Sequence, residues 1–172
     1  MIFGYNNFED FLTSLFKGVT SDIIIKYIIP FILLINIAFD FFFASVGGIW
    51  FLISLYIIDF LTGIIKATYF SIQIVKLKKA NLEVPKEYEL KKLVSKKFPR
   101  FLLTLLAALI ILSLINFAGK FSIIFYPLFS IFYSVFLGQQ LISIIENFYD
   151  MKLVPLALYK KLKKKITDVI NE

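Results

Sequence analysis

Residues 49–69 read IWFLISLYIIDFLTGIIKATY, an apolar run that only a few polar side chains interrupt. A helix needs about 20 predominantly apolar residues to cross a hydrocarbon core ~30 Å thick, and this run is long enough. Three further apolar blocks of similar length cover approximately residues 23–44, 101–118 and 121–145. The sequence therefore predicts an all-α integral membrane helical bundle with about four transmembrane helices.

The composition agrees with a lipid environment. Of the 172 residues, 59% are hydrophobic, whereas soluble chains average roughly 45–50% apolar residues. The chain has no cysteine and no histidine, which excludes disulfides, the usual zinc ligands and nucleophiles activated by histidine. We therefore expect no metal, no cofactor and no enzymatic activity.

The formal net charge of +7 raises the question of an acidic partner. The lysines cluster beside the apolar blocks instead of alternating with aromatic residues on a soluble surface, so nucleic acid is not an expected partner. Lysines at the edge of a membrane span attract anionic headgroups, by about 1 kcal/mol each. The expected partner of this charge is a bilayer that contains anionic lipids.

The pattern of apolar and charged segments predicts a single membrane domain over residues 1–172, without internal repeats. Its predicted parts are an interfacial amphipathic helix at 1–20, a helical hairpin at 23–69, a basic cytoplasmic loop at 73–100, a second hairpin at 101–147 and a basic amphipathic tail helix at 155–172. For the N-terminal helix, packing on the cytosolic ends of the bundle is an equal alternative to lying on the bilayer surface.

The distribution of lysine and arginine predicts the orientation. Cytoplasmic loops retain these residues, and here they concentrate in the 73–100 loop and in the tail, whereas the opposite turns carry only Lys120. Four spans with both termini in the cytoplasm satisfy this distribution. A first apolar segment that only re-enters the membrane, with the N-terminus outside, is the alternative.

One carboxylate lies within the second span. A charged Asp59 at this depth costs about 2.5–3.5 kcal/mol on insertion scales, so its side chain should face protein or water. Lys66 lies two turns onward on the same helix face and could reach back toward it. Three roles stay open for Asp59: a polar contact between packed helices, a pore-lining or triggering group, and an ion-coupling site.

Small residues at intervals of four predict close helix packing, because they let membrane helices approach one another. They are Gly63 and Ala67 in the second span, and Ser130, Ser134 and Gly138 in the fourth. Whether this packing is within one subunit or between subunits is open. Polar residues also line the end of the fourth span, at Gln139, Ser143, Glu146 and Asn147, either as a network between helices or as a surface that faces water.

Two short motifs lie in the predicted second and fourth spans. The first reads Asp59-Phe-Leu-Thr62-Gly63-Ile-Ile-Lys66-Ala67, and the second reads Ser143-Ile-Ile-Glu146-Asn147. They resemble the Asp-x-x-Thr-Gly-x-x-x-Ala and Ser-Ile-x-Glu-Asn patterns of a phage holin family that includes the toxin-release proteins of clostridia. Both occur in that family's order, separated by a basic loop and an apolar segment.

The chain also departs from the family pattern. It has Gln139-Gln140 where the family often has Asn-Glu, and Lys152-Leu-Val-Pro155 where the family often has Gly-Leu-Pro-x-Pro. Its basic loop is longer, and the first apolar segment with the residues before it can be an N-terminal extension. Because Gln140 replaces the glutamate of that Asn-Glu pair, the role of Gln140 is open.

The resemblance implies a protein of the bacterial cytoplasmic membrane that forms homo-oligomers and opens holes for a cell-wall hydrolase or a toxin. The residues expected to form a functional polar seam are Asp59, Thr62, Gly63, Lys66, Gln140, Ser143, Glu146 and Asn147.

Two other functions remain as alternatives. One is a structural or anchoring membrane subunit that binds a soluble partner through its cytoplasmic helices, at Phe3–Phe16 or Pro155–Ile170. The other is a small ion-coupled transporter that uses Asp59, although such folds commonly contain repeats.

Overall fold

The computed structural model describes residues 23–91 and 97–171, with side chains except at 97–100 and 171. All regular secondary structure in these ranges is helical, which confirms the predicted all-α class. The chain divides into two compact units, the first ending at Phe41 and the second beginning at Phe42. The interfacial helix predicted at 1–20 lies outside the described residues.

The described part of the first unit forms one apolar helix. A π-helical turn, Ile24–Ile28, leads into helix α1, Ile29–Phe42. The N–H of Ile29 bonds to the carbonyl of Ile24, five residues back, in the turn that precedes Pro30, whose backbone has no N–H to donate. Together the two pieces make a 19-residue candidate span, Ile24–Phe42, close to the predicted first block.

The second unit begins with a long helix, α2, Val46–Lys79. Its N-cap is Ser45, whose hydroxyl accepts a hydrogen bond from the N–H of Gly48 at 3.1 Å. Residues 46–48, which separate the first two apolar blocks, therefore already belong to the first turn of this helix. The helix continues ten residues beyond Tyr69, where the predicted apolar span ends, because lysine, glutamine and isoleucine are compatible with a helix and no proline follows until Pro85.

The remaining elements follow in chain order. They are α3, Lys86–Lys91; α4, Lys97–Phe121; a 3-10 turn, Ile123–Phe125; α5, Leu128–Asp150; and α6, Leu156–Asn171. The turn predicted at Gly119 and Lys120 actually lies later, because α4 continues to Phe121 and α5 begins only after Pro127. A Cβ on Gly119 would lie 3.1 Å from the Cα of Tyr126, so glycine allows the turn to fold back on α4.

Within the described residues, four helical segments are long and apolar enough to cross a membrane. They are Ile24–Phe42, Val46–Lys79, Phe101–Phe121 and Ile123–Asp150. Most of their large apolar side chains are exposed, as expected where lipid is the solvent. Within the second unit the buried core includes Ile49 and Leu52 of α2 and Leu112 of α4. The second unit is thus a membrane bundle in which α2 and α5 pack closely together.

Candidate functional site

Helices α2 and α5 run parallel and touch at several levels along their length. Near their N-terminal ends, the hydroxyl of Tyr133 donates to the carbonyl of Gly48 at 2.8 Å. A Cβ on Gly48 would lie 3.2 Å from that hydroxyl, so the missing side chain makes room for the contact. Near the other end, the Nζ of Lys66 lies 3.3 Å from an Oδ of Asp150. Polar contacts therefore join α2 to both ends of α5.

Between these ends lies a cluster of three polar residues, Asp59, Thr62 and Asn147, which we call the amide cluster. The Nδ2 of Asn147 lies 3.0 Å from the Oδ1 of Asp59 and 3.0 Å from the Oγ1 of Thr62. The Thr62 hydroxyl in turn donates to the backbone carbonyl of Asp59 at 3.0 Å. Asn147 is 5% exposed and Thr62 is 6% exposed, so this hydrogen bonding takes place inside the protein.

The local sequence explains how the amide cluster forms. Residues three apart on a helix lie on the same face, which places Asp59 and Thr62 together on α2. Asn147 provides an amide group that donates to acceptors on both. The Asp59 carboxylate can only accept hydrogen bonds when it is ionised, and the Asn147 amide supplies a donor to it. Asp59 itself is partly exposed, and a hydrogen-bond donor to its carboxylate lowers the cost of placing that charge in the helix contact.

Two further residues of the predicted seam lie beside the amide cluster. Ser143 lies near the Asp59 carboxyl. Gln140 is a neighbour of the Tyr56 hydroxyl, and its Oε1 is buried without a hydrogen-bond partner in the described part of the chain. Polar groups of α5 thus continue along α2 for two turns before Asn147.

The lysine of the first motif has a different partner from the one the sequence indicated. Lys66 pairs with Asp150, and the other carboxylate oxygen of Asp150 lies 3.0 Å from the Nζ of Lys91 in α3. Lys91 also contacts Glu87 at 2.7 Å. Burial lowers the pKa of Lys91, but hydrogen bonds to Glu87 and Asp150 outweigh burial and raise that pKa above its ordinary value. Lys91 therefore stays charged at neutral pH and fastens α3 to the bundle.

Other predicted residues lie away from the amide cluster. Glu146 is exposed. Ala67 is fully buried, as expected for helix packing, and Gly138 is buried against α6. Ser130 and Ser134 are exposed in this single chain, and the Ser134 hydroxyl bonds to the carbonyl of Ser130 at 2.8 Å.

Sequence reasoning missed several polar residues that the fold uses. Asp150 and Lys91 form the ion pairs just described, and Tyr133 bonds to Gly48. Asn116 of α4 is also buried and donates to the carbonyl of Phe42 at 2.9 Å. Only Asp150 had a sequence signal, because it follows Asn147 by about one helical turn.

Replacing Gly63 by alanine should leave the bundle intact. A Cβ there would have the Nδ2 of Asn147 as its nearest neighbour, at 3.9 Å, which is an ordinary van der Waals distance. Since alanine is the better helix former by about 0.5–1 kcal/mol, we expect equal or slightly higher stability. The measurement is unfolding of the purified protein in detergent with increasing dodecyl sulfate. Gly63→Leu is the matched variant with a bulkier side chain. An equal loss of stability in Gly63→Ala and Gly63→Leu would contradict this geometry.

Replacing Asp150 by asparagine should loosen α3, because it removes both ion pairs of this carboxylate. We expect amide hydrogen exchange over Lys86–Lys91 to become several-fold faster. Exchange near the amide cluster should change little. Asp168→Asn, the same change at an exposed position of α6, is the control. Unchanged exchange in α3 would show that other contacts hold it.

Comparison with known proteins gives one match. A family model described as the bacteriophage holin family matches residues 37–170, which is well over half of the chain and includes both motifs. Neither the search of curated proteins nor the search of solved structures gave a match to this chain. The matched residues include the amide cluster, the two ion pairs of Asp150 and nearly all of α6.

Proposed function

Because the chain belongs to the bacteriophage holin family, we propose that it self-associates in the bacterial cytoplasmic membrane and opens holes. A cell-wall hydrolase or a toxin would leave the cell through these holes. The family is one of membrane pore formers that are not enzymes, and the four apolar helices fit a protein of this kind.

The observation that carries the proposal is the amide cluster. A packed pair of membrane helices does not need a carboxylate, a hydroxyl and a carboxamide in its contact, because apolar side chains pack there at no desolvation cost. These groups are useful if the helices later rotate or separate, since the same groups can then face water. The cluster is thus a candidate lining for a hole: Thr62 and Asn147 are buried in the described bundle, and after a rearrangement of the helices their polar groups would face water.

In the orientation proposed from the sequence, the ion pairs of Asp150 would lie at the cytoplasmic boundary of the membrane. With both termini in the cytoplasm, the C-terminal ends of α2 and α5 lie at the cytoplasmic face. Lys66, Lys91 and Asp150 would then lie at that boundary, where water and headgroups tolerate charge. The lysines of the α2 end and of the tail would attract anionic lipids.

Inducible expression in bacteria tests the proposal. We expect an abrupt loss of membrane potential and release of a cytosolic reporter enzyme after the protein has accumulated. Controlled expression of an unrelated four-span protein at the same membrane level should cause neither. Continued growth at verified membrane levels would contradict the proposal. A stable soluble partner without leakage would instead select the anchoring alternative, and ion-dependent uptake lost in Asp59→Asn would select the transporter.

A further inference from the structure

Helix α6 folds back along α5 and covers a side of it that does not face α2. The ring of Tyr159 stacks on the ring of Tyr149, with centroids 4.6 Å apart and planes 9° apart. Farther along, Ile166 and Ile170 reach Gly138, near the middle of α5. Two contacts about ten residues apart on each helix show that α6 lies antiparallel to α5 over most of its length.

The approach at Gly138 depends on the absence of a side chain. A Cβ there would overlap the side chain of Ile170 and lie 3.2 Å from the Cγ2 of Ile166. Gly138 itself is buried by this contact. The apolar residues of α6 therefore occupy a shallow site on α5 that is shaped for the close approach of another helix.

The positive charges of the α6 lysines are unfavourable where α6 docks on α5. Five lysines, Lys160, Lys161, Lys163, Lys164 and Lys165, lie between the residues that contact Tyr149 and those that contact Gly138. Gly138 is 12 residues before Asp150, or roughly 18 Å along the helix. In a span of ordinary thickness this depth is near the middle of the hydrocarbon core. With Asp150 at the cytoplasmic boundary, as in the proposed orientation, docking holds the lysines within the depth of the span, whereas release would let them reach the headgroups.

We propose that α6 is an autoinhibitory cover, and that the side of α5 around Gly138 is a contact between copies of this chain. This inference rests on the proposed function, since it identifies how self-association would be held back. In a single chain α6 occupies the contact. After α6 moves to the membrane surface, a second copy can bring its own α5 to the same place.

A second copy fits this side of α5 better than α6 does. The α5 side around Gly138 carries no lysine, so two copies can meet there without drawing ammonium groups into lipid. Contact of the same surface on both subunits also closes a symmetric dimer. Ser134 lies one turn beyond the region that α6 covers and is exposed, so the contact has room to extend.

The test weakens α6 docking without changing α5. The variant I166S/I170S removes the two side chains that meet Gly138. The matched control L158S/V169S makes the same kind of change on the outward side of α6, where Leu158 is 45% exposed and Val169 is 68% exposed. Since the chain has no cysteine, Ser134→Cys can be added to each as the only thiol. Oxidation of membranes with copper phenanthroline then reports contact between α5 helices as a covalent dimer.

We expect I166S/I170S to raise the dimer fraction several-fold over the unsubstituted tail, and to advance the loss of membrane potential after induction. L158S/V169S should match the unsubstituted tail in both. Equal or lower dimer fractions in I166S/I170S, at equal membrane levels, would overturn the autoinhibitory role. If no variant releases the reporter enzyme although cross-linking increases, the proposed hole formation fails while the contact between copies stands.

Discussion

Asn147→Leu is expected to lower the free energy of unfolding of the bundle by about 1–3 kcal/mol, the usual cost of leaving a buried polar group without its partner. Asn147 donates to both Asp59 and Thr62, and leucine has a similar volume but no donor. The Asp59 carboxylate would then keep its place in the helix contact without the amide. Unfolding in detergent with increasing dodecyl sulfate measures the loss.

Two further variants separate this cause from a general effect of leucine. Gln139→Leu makes a similar change at an exposed position of the same helix and should change stability little. The exchange variant D59N/N147D keeps one amide and one carboxylate in the cluster, so it should recover most of the stability that Asn147→Leu loses. Equal stability of Asn147→Leu and the natural chain would show that the hydrogen bonds of Asn147 contribute nothing to the bundle.

The double variant D59L/N147L is expected to fold but to release no reporter enzyme. Replacing both partners of a buried polar contact by apolar residues is often neutral or stabilising, so stability should stay within about 1 kcal/mol of the natural chain. Thr62 keeps its bond to the backbone carbonyl of residue 59. If the cluster lines the hole, release after induction should fall by at least about tenfold, a change of roughly 1.4 kcal/mol in an equilibrium.

The readout of this variant is release compared with membrane level and stability in the same cells. D59N/N147D is the matched control, because it retains the polar groups and should retain release. Undiminished release from a stable D59L/N147L protein would show that the amide cluster is only a packing contact. If D59L/N147L loses both stability and release, Asn147→Leu and D59N/N147D distinguish the role of the amide cluster in stability from its role in release.

The spans could be predicted because the thickness of a bilayer fixes how many apolar residues a helix needs. The ends of the helices could not be predicted in the same way. Apolar content falls after Tyr69, yet α2 continues to Lys79 because its lysines and glutamine are good helix formers. At the other turn, Pro127 immediately precedes α5, and Gly119 lies within α4, where the absence of a side chain allows the chain to fold back against it.

The amide cluster was partly predictable, whereas its surroundings were not. Two motifs rich in polar residues in neighbouring spans indicated that Asp59, Thr62 and Asn147 share a seam. The partner of Lys66 depends on how α3 and the end of α5 meet, which no local pattern encodes. Likewise, the small residue Gly138 indicated helix packing, but its position does not tell whether a membrane helix or the tail packs there.

The length of α2 has a consequence for experiments and for the motion of the protein. The helix continues from Lys66 to Lys79, roughly 20 Å beyond the last ion pair with α5. An uninterrupted helix is stiff on this scale, so a twist at Asp59 turns the distal end by the same angle. A probe on the distal end therefore reports the rotation of the buried part of α2. A spin label at Lys78, which is exposed, would show the rotation of the buried helix from outside the lipid.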